Sequence, residues 1–121
     1  MIVVDTSVWI EFLRQSDDTI IDLLNAYIEN GEAVALSLVF GELLQGAKNE
    51  AEEKQIIEFW NSLPKLNENA IMIEAGKLSY KRKLASKGIG LIDSCLLVAC
   101  KSNKMSLWTL DKKLLEEYRN S

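Results

Sequence analysis

Four of the eighteen acidic residues stand alone in stretches of the sequence that carry no other charge. Histidine is absent, which excludes Ser–His and Cys–His nucleophilic catalysis, histidine acid–base chemistry and zinc sites with histidine ligands. Chemistry in this chain must therefore rely on carboxylates, hydroxyls, lysines, arginines or the two cysteines. The isolated acids are Asp5 within residues 1–10, Glu42 within residues 33–47, Asp93 within residues 88–100, and Asp111 directly after residues 105–110.

Carboxylates that converge from such positions would form a site for a hard divalent cation. A buried carboxylate without a partner is costly, and neighbouring carboxylates raise each other's pKa by repulsion. Mg²⁺ and Mn²⁺ relieve this repulsion because they prefer oxygen ligands, usually one or two carboxylates with water and substrate phosphate. A site of this kind suits phosphodiester hydrolysis, in which the metal activates water. We therefore expect Mg²⁺ or Mn²⁺ as the cofactor.

Each of these acids also has an ordinary structural interpretation. Asp5 and Asp93 can each serve as the N-cap of a helix, and Asp111 before two lysines can belong to a surface turn. Glu42 has no capping role because it lies within a predicted helix. Glu74 is similarly isolated, so isolation alone is not decisive. Taken together, the four acids favour convergence on one crevice.

The elements that would position these acids alternate between short apolar strands and helices. Strands are predicted at residues 2–4, 33–36 and 105–109, with a further short strand at residues 65–67. Helices are predicted from Thr6 or Ser7 past Leu13, from Asp17 or Asp18 to Gly31, from Ser37 to Ala47, from Glu50 to Ser62, from about Glu68 to Lys87, from Asp93 to about Ser102, and from Lys112 onward. This alternation is typical of an α/β fold with helices on both faces of a parallel sheet, whose functional crevice lies at the carboxyl ends of the strands.

Length and composition predict one globular domain over residues 1–121, with 48% apolar and 26% charged residues. The formal net charge of −4 conceals an asymmetry. Residues 1–76 contain fourteen acidic and four basic residues, whereas residues 77–121 contain four acidic and ten basic residues. An acidic total therefore does not exclude a polyanionic partner, because binding responds to the local potential.

Cysteine usage and the amino terminus both favour a cytoplasmic location. Cys95 and Cys100 would point to different faces of one helix, so we expect two buried thiols rather than a disulfide or a shared metal. Such thiols are typical of a reducing compartment. Residues 1–5 contain no basic segment before an apolar run, and no run reaches the roughly 18–20 residues that span a bilayer. We expect no membrane partner.

Four segments of the chain resemble the PIN-domain family, and within it the VapC-type toxins of toxin–antitoxin pairs. The segments are VVDTSVWIE at residues 3–11, SxVxGELLQG at 37–46, IDSCLLVA at 92–99 and WTLDKK at 108–113. They follow the family's order and span nearly the whole chain. One block would be weak support, whereas four together are strong.

This resemblance implies a single PIN-like domain that acts as an Mg²⁺- or Mn²⁺-dependent endoribonuclease, usually as a homodimer, and is held inactive by a cognate antitoxin. The family's catalytic acidic quartet corresponds to Asp5, Glu42, Asp93 and Asp111. Asp5 and Asp93 would be the most direct metal ligands, and Thr6 and Thr109 match hydroxyls that orient carboxylates or waters. A sheet of about four or five strands is expected, because here the T-x-D block is followed by a predicted helix that can replace the family's further strand.

Two stretches are candidates for binding partners. Trp9, Phe12 and Leu13, together with Phe59 and Trp60, either pack in the core or form part of a groove for an antitoxin helix. Five basic residues fall on one predicted helix and suit the phosphates of RNA, although a solvated face is the ordinary interpretation of such a run. These residues are Lys77, Lys81, Arg82, Lys83 and Lys87.

The alternative function is that of a receiver-like signalling domain, which is also an α/β domain with acids and Mg²⁺ at its strand ends. Such a domain requires an acidic pair after its first strand, but here Asp5 is followed by Thr6 and Ser7. It also requires a phosphoacceptor Asp after a central strand, and residues 65–67 contain none. A binding module with vestigial acids is a third option, which intact acids at all four positions disfavour.

Overall fold

The computed structural model describes residues 1–121 and has the expected α/β architecture. Three short parallel strands form one sheet in the order β2-β1-β3. They are β1 (Ile2–Val4), β2 (Ala33–Val34) and β3 (Ser106–Trp108). The expectation of four or five strands is therefore wrong. The segment at residues 65–67 makes only one bridge, from Lys65 to Ala35, because Pro64 before it has no N–H to donate to a ladder.

Seven helices pack around this sheet. They are α1 (Thr6–Arg14), α2 (Asp18–Glu29), α3 (Ser37–Gln45), α4 (Glu50–Ser62), α5 (Ile71–Arg82), α6 (Leu91–Asn103) and α7 (Lys112–Arg119). Local capping determines some of their starts, since the side chain of Asp17 accepts hydrogen bonds from the N–H groups of Thr19 and Ile20. None of the seven is both long and apolar enough to cross a membrane.

The differences from the predicted boundaries that matter most concern two helices, since α2 and α3 end only two residues early. The predicted helix from Glu68 to Lys87 is interrupted, because Lys83 adopts a left-handed conformation with φ 55° and leads into a 3₁₀ turn at Ala85–Lys87. The conformation of Lys83 allows the chain to turn back after α5, and α6 then packs against α5. Helix α6 begins at Leu91, so Asp93 lies within its first turn and is not its N-cap.

The aromatic residues of α1 belong to the core. Trp9 and Phe12 are only 1% and 3% exposed, and their ring centroids lie 5.7 Å apart in an edge-on arrangement. Phe59 of α4 packs 5.4 Å from Trp9, while Leu13 and Trp60 are partly buried against the same cluster. Of the two alternatives, core packing therefore holds for Trp9 and Phe12, which contribute almost no surface to a groove.

The two cysteines are buried and unpaired, as predicted. Burial raises the pKa of the Cys100 thiol to about 12. Burial also raises the pKa of Cys95, with a smaller contribution from the negative charge of Glu68. Both thiols are therefore kept in the unreactive protonated form.

Candidate active site

Asp5 begins the candidate site at the carboxyl end of β1. The residue occupies the N-cap position of α1, but its side chain makes no capping hydrogen bond. Instead Oδ2 accepts one hydrogen bond from Ser7 Oγ at 2.8 Å and another from Thr109 Oγ1 at 2.7 Å. Asp5 is 6% exposed, so these two hydroxyls compensate for its burial. The capping interpretation of Asp5 is wrong.

The two hydroxyls also join β1 to the chain that follows β3. Thr109 Oγ1 accepts a hydrogen bond from the N–H of Asp111 at 3.0 Å, and Ser7 Oγ accepts one from the N–H of Leu110 at 3.1 Å. Each hydroxyl therefore receives a backbone hydrogen bond and donates its own proton to Asp5. This arrangement exists because β1 and β3 are adjacent parallel strands whose carboxyl ends meet. We call Ser7 and Thr109 the hydroxyl clamp.

Glu42 approaches from α3 and is exposed rather than buried. Its Oε1 accepts a hydrogen bond from Thr6 Oγ1 at 2.7 Å, which places Thr6 where the sequence predicts an orienting hydroxyl. The first turn of α3 is held from a distant loop, since Glu68 accepts hydrogen bonds from Ser37 N–H at 2.7 Å and from Ser37 Oγ at 2.8 Å. Glu68 thus caps the helix that carries Glu42.

Asp111 combines a structural role with its place in the site. Its Oδ1 accepts hydrogen bonds from the N–H groups of Lys113 at 2.9 Å and Leu114 at 3.2 Å, so it is the N-cap of α7. Asp111 therefore has an ordinary structural role through this oxygen, but as a helix cap and not as the surface-turn residue of the sequence-based alternative. The other oxygen takes no part in the cap.

Asp93 is the acid whose pKa the other three acids raise. The pKa of its carboxyl is raised to about 6, mainly because burial disfavours the charged form. The negative charges of Asp5, Asp111 and Glu42 raise it further, in that order, and a backbone hydrogen bond from Gly90 opposes them. The fold therefore brings the other three predicted acids within electrostatic reach of Asp93.

Although they converge, these acids do not form a compact ligand cage. No three Asp, Glu or Cys side chains are arranged so that they could hold a metal ion together. Like charges keep such side chains apart when no cation lies between them. Mg²⁺ needs only one or two protein carboxylates beside water and substrate phosphate, and all the donors here are oxygens. The donor set therefore fits a hard divalent cation.

The predicted basic surface is divided between two roles. Arg82 and Lys87 form ion pairs with Glu117 of α7, which is 5% exposed. Lys77 pairs with Glu74 one turn earlier, with 3.5 Å between Nζ and Oε1. Lys81 and Lys83 are exposed and form no salt bridge.

Sequence reasoning missed three residues that shape this region, namely Ser7, Glu68 and Glu117. Ser7 was detectable in principle, because it lies two positions after Asp5 in the same block. Glu68 and Glu117 lie in mixed polar stretches and carry no such signal. Their partners become apparent only in the folded chain.

A family model described as the PIN domain matches residues 2–120. The chain belongs to the PIN-domain family. This PIN domain is 34% identical over 117 residues to Ribonuclease VapC32 of two Mycobacterium tuberculosis strains, CDC 1551 / Oshkosh and ATCC 25618 / H37Rv, covering 94% of this chain and 87% of that protein. The predicted resemblance to VapC-type members of the family is therefore confirmed.

A solved structure confirms the fold of this PIN domain. It is the crystal structure of VapBC2 from Rickettsia felis bound to a DNA fragment from their promoter. The match has a TM-score of 0.73 and covers 97% of this chain and 92% of that chain, at 21% identity. At this identity the similarity establishes the architecture alone.

Proposed function

We propose that this PIN domain is the toxin ribonuclease of a VapBC-type toxin–antitoxin pair and hydrolyses RNA phosphodiester bonds with Mg²⁺ or Mn²⁺. The observation that carries the proposal is that Asp5, Asp111 and Glu42 all act on Asp93 and raise the pKa of its carboxyl. The 34% identity to a protein named as a ribonuclease supports it, because the match covers almost the whole chain.

The acidic quartet would hold the cation, with Asp5 and Asp93 as the most direct ligands. When bound, the metal supplies a Lewis acid that activates water and offsets charge on the reacting oxygens. The hydroxyl clamp orients Asp5, because two donors on Oδ2 leave Oδ1 free to face the crevice. Thr6 orients Glu42 in the same way through a single hydrogen bond.

Partners follow from the same proposal. The substrate is RNA, the regulator is a cognate antitoxin, and the active form is a homodimer. The named complex of VapBC2 supports an antitoxin partner for a chain of this fold. Since Arg82 and Lys87 are paired with Glu117, the residues of the predicted basic set that are available to phosphate are Lys81 and Lys83, which form no salt bridge, and Lys77, whose exposed pair with Glu74 is readily exchanged.

The receiver-like alternative is not favoured. Membership of the PIN-domain family argues against it, and β1 is followed by hydroxyls that bind Asp5 rather than by a second acid. Residues 65–67 also form no full strand that could present a phosphoacceptor.

The decisive experiment measures cleavage of total RNA by the purified chain with Mg²⁺, with Mn²⁺ and with EDTA. We expect cleavage only with a metal, and a loss of more than about 100-fold in Asp5→Asn, because removing a metal ligand costs more than removing its supporting hydrogen bond. Calorimetric titration with Mn²⁺ provides a readout that is independent of activity and should show weakened binding in the same variant.

Asp22→Asn is the matched control, since it removes an exposed carboxylate from α2 outside the site. It should cleave RNA as the parent does. Cleavage by Asp5→Asn at the parental rate would contradict the assignment, and labelling of one Asp by acetyl phosphate without any RNA cleavage would favour the receiver-like function. Sequencing the ends of the products identifies the RNA that is cut.

A further inference from the structure

Beside the acidic quartet lies a pocket of about 210 Å³ between α1 and α3, which we call the α1–α3 pocket. Its apolar lining comes from Ile10 and Leu13 on α1 and from Leu43 on α3. Glu42 and Glu52 also line it, and the Glu42 carboxylate accepts the hydrogen bond from Thr6. The pocket and the candidate active site therefore share one side chain.

Two cations line the α1–α3 pocket although it lies in the acidic part of the chain. Residues 1–76 contain only four basic residues, and two of them, Arg14 and Lys48, are found here. Lys48 forms no salt bridge, and Arg14 forms only an exposed pair with Glu11 at 3.1 Å. An exposed pair of this kind contributes little and is readily exchanged. Both cations are therefore available to an anionic ligand.

We propose that the α1–α3 pocket binds the nucleotide adjacent to the scissile phosphate of the RNA substrate. The base lies against Ile10 and Leu13 and against the guanidinium plane of Arg14, a surface on which unstacked bases bind well. The phosphate of that nucleotide contacts Lys48. This assignment rests on the proposed ribonuclease function, because Glu42 is the side chain that links the pocket to the reacting site.

The size and charge of the pocket favour this occupant. A volume of about 210 Å³ is below the 300–1,000 Å³ typical of sites for drug-sized ligands, so a single ring system is the group that it accommodates. An apolar side chain from a protein partner would use the lining of Ile10, Leu13 and Leu43 but would make no use of Lys48, which forms no salt bridge although Glu52 also lines the pocket. A nucleotide uses both features.

The test measures fluorescence anisotropy of a labelled single-stranded RNA octamer of mixed sequence, with EDTA present. The protein is the Asp93→Asn variant, in which less negative charge opposes binding in the absence of metal. In this background Lys48→Ala should weaken binding about fivefold or more. It should also lower the slope of log affinity against log salt by about 0.7, the value for one phosphate contact on a single strand.

A second variant blocks the pocket without changing its charge. Gly46 lines the pocket with φ −90°, and a Cβ added there would come no closer than 3.7 Å to the Glu42 carbonyl oxygen, so the backbone accepts a side chain. Gly46→Leu should weaken binding and leave the salt slope unchanged. Lys54→Ala on α4 is the matched control, because it removes an exposed cation outside the pocket and should bind within about twofold of the background.

Each outcome decides the assignment. Equal weakening by Lys48→Ala and Lys54→Ala would overturn it, since that result reports general charge alone. Unchanged RNA affinity in both pocket variants, with loss of the complex with a co-expressed antitoxin, would assign the pocket to the protein partner instead. If the parent cleaves no RNA with metal but the pocket variants still weaken octamer binding, the proposed catalytic function fails while the nucleotide pocket stands.

Discussion

Like charges are concentrated both at the carboxyl-terminal edge of the sheet and along helix α5. Only at the sheet edge do they come close to one another. At the sheet edge, Asp5 is held by two hydroxyls and lies close enough to Asp93 to raise its pKa. Along α5 and the turn after it, the cations separate, because Arg82 and Lys87 bond to Glu117 while Lys81 stays in solvent. Strand ends converge by topology, whereas residues on a helix fan around its axis.

This difference also concerns how each charge is compensated. Neutral hydroxyls orient Asp5 without neutralising it, so its negative charge remains available to a cation. The carboxylate of Glu117 is instead paired directly with cations and becomes part of the structure. In this chain, the carboxylate with neutral hydrogen-bond partners lies at the candidate site, whereas the carboxylate with ionic partners stabilises the fold.

Removing one half of the hydroxyl clamp should have the largest effect among the variants that keep all four acids. Thr109→Val preserves the shape of the side chain but loses the hydrogen bonds to Asp5 and from Asp111. We expect cleavage to fall about 10–100-fold, as for partners that orient metal ligands. Thr109→Ser should restore most of the activity, and a Val variant with parental kcat and parental Mn²⁺ affinity would contradict the role of the clamp.

A substitution at Glu117 tests whether the ion pairs with α5 and the turn after it stabilise the fold. Glu117→Gln removes a buried charge while Arg82 and Lys87 stay partly exposed and can rehydrate, so we expect a loss of about 1–3 kcal/mol in the free energy of unfolding. Urea unfolding measures this, and the exposed neighbour Glu116→Gln should stay within about 0.5 kcal/mol of the parent. Equal stability of the two variants would show that the ion pairs contribute nothing.

The partly buried carboxylate of Asp93 should lower the free energy of unfolding of the metal-free protein, whereas that of Glu117 should raise it. Its pKa rises from 3.8 to about 6 on folding, so the folded chain binds more protons between these pH values and metal-free stability falls as the pH increases through them. Asp93→Asn should therefore melt at a higher temperature than the parent at a pH of about 7.5 in EDTA, with the difference shrinking towards a pH of about 4. A constant difference across that range would refute the shift.

The free lysines at the carboxyl end of α5 and directly after it should give the smallest effect. Lys81 and Lys83 are exposed and unpaired, so replacing both with alanine should raise the KM for RNA a few fold and lower the salt slope, with kcat unchanged. Arg82 is left in place because its loss would also disturb Glu117. Identical KM and salt slope in the double variant would identify this part of α5 as a solvated face.

Several features of the fold can be predicted from the sequence because they depend on neighbouring residues. The β-branched run at residues 2–4 and the helix from Glu50 to Ser62 occur where predicted, since local apolar patterning and an Asn cap determine them. The predicted strand at residues 65–67 is wrong because the segment makes only one bridge, to Ala35, and the adjacent Pro64 has no N–H with which to extend the ladder. The end of α5 depends on packing against α6.

The α/β class could be read from the sequence because apolar periodicity is a property of adjacent residues. The four acids could be proposed from their isolation only in combination with the four segments that resemble the PIN-domain family, since Glu74 is equally isolated. Only the tertiary structure decided which groups support those acids. The contacts of Thr109 with Asp5, of Glu68 with Ser37 and of Lys87 with Glu117 join residues 104, 31 and 30 positions apart. Such contacts exist only after the strands have paired and the helices have packed, so no local pattern encodes them.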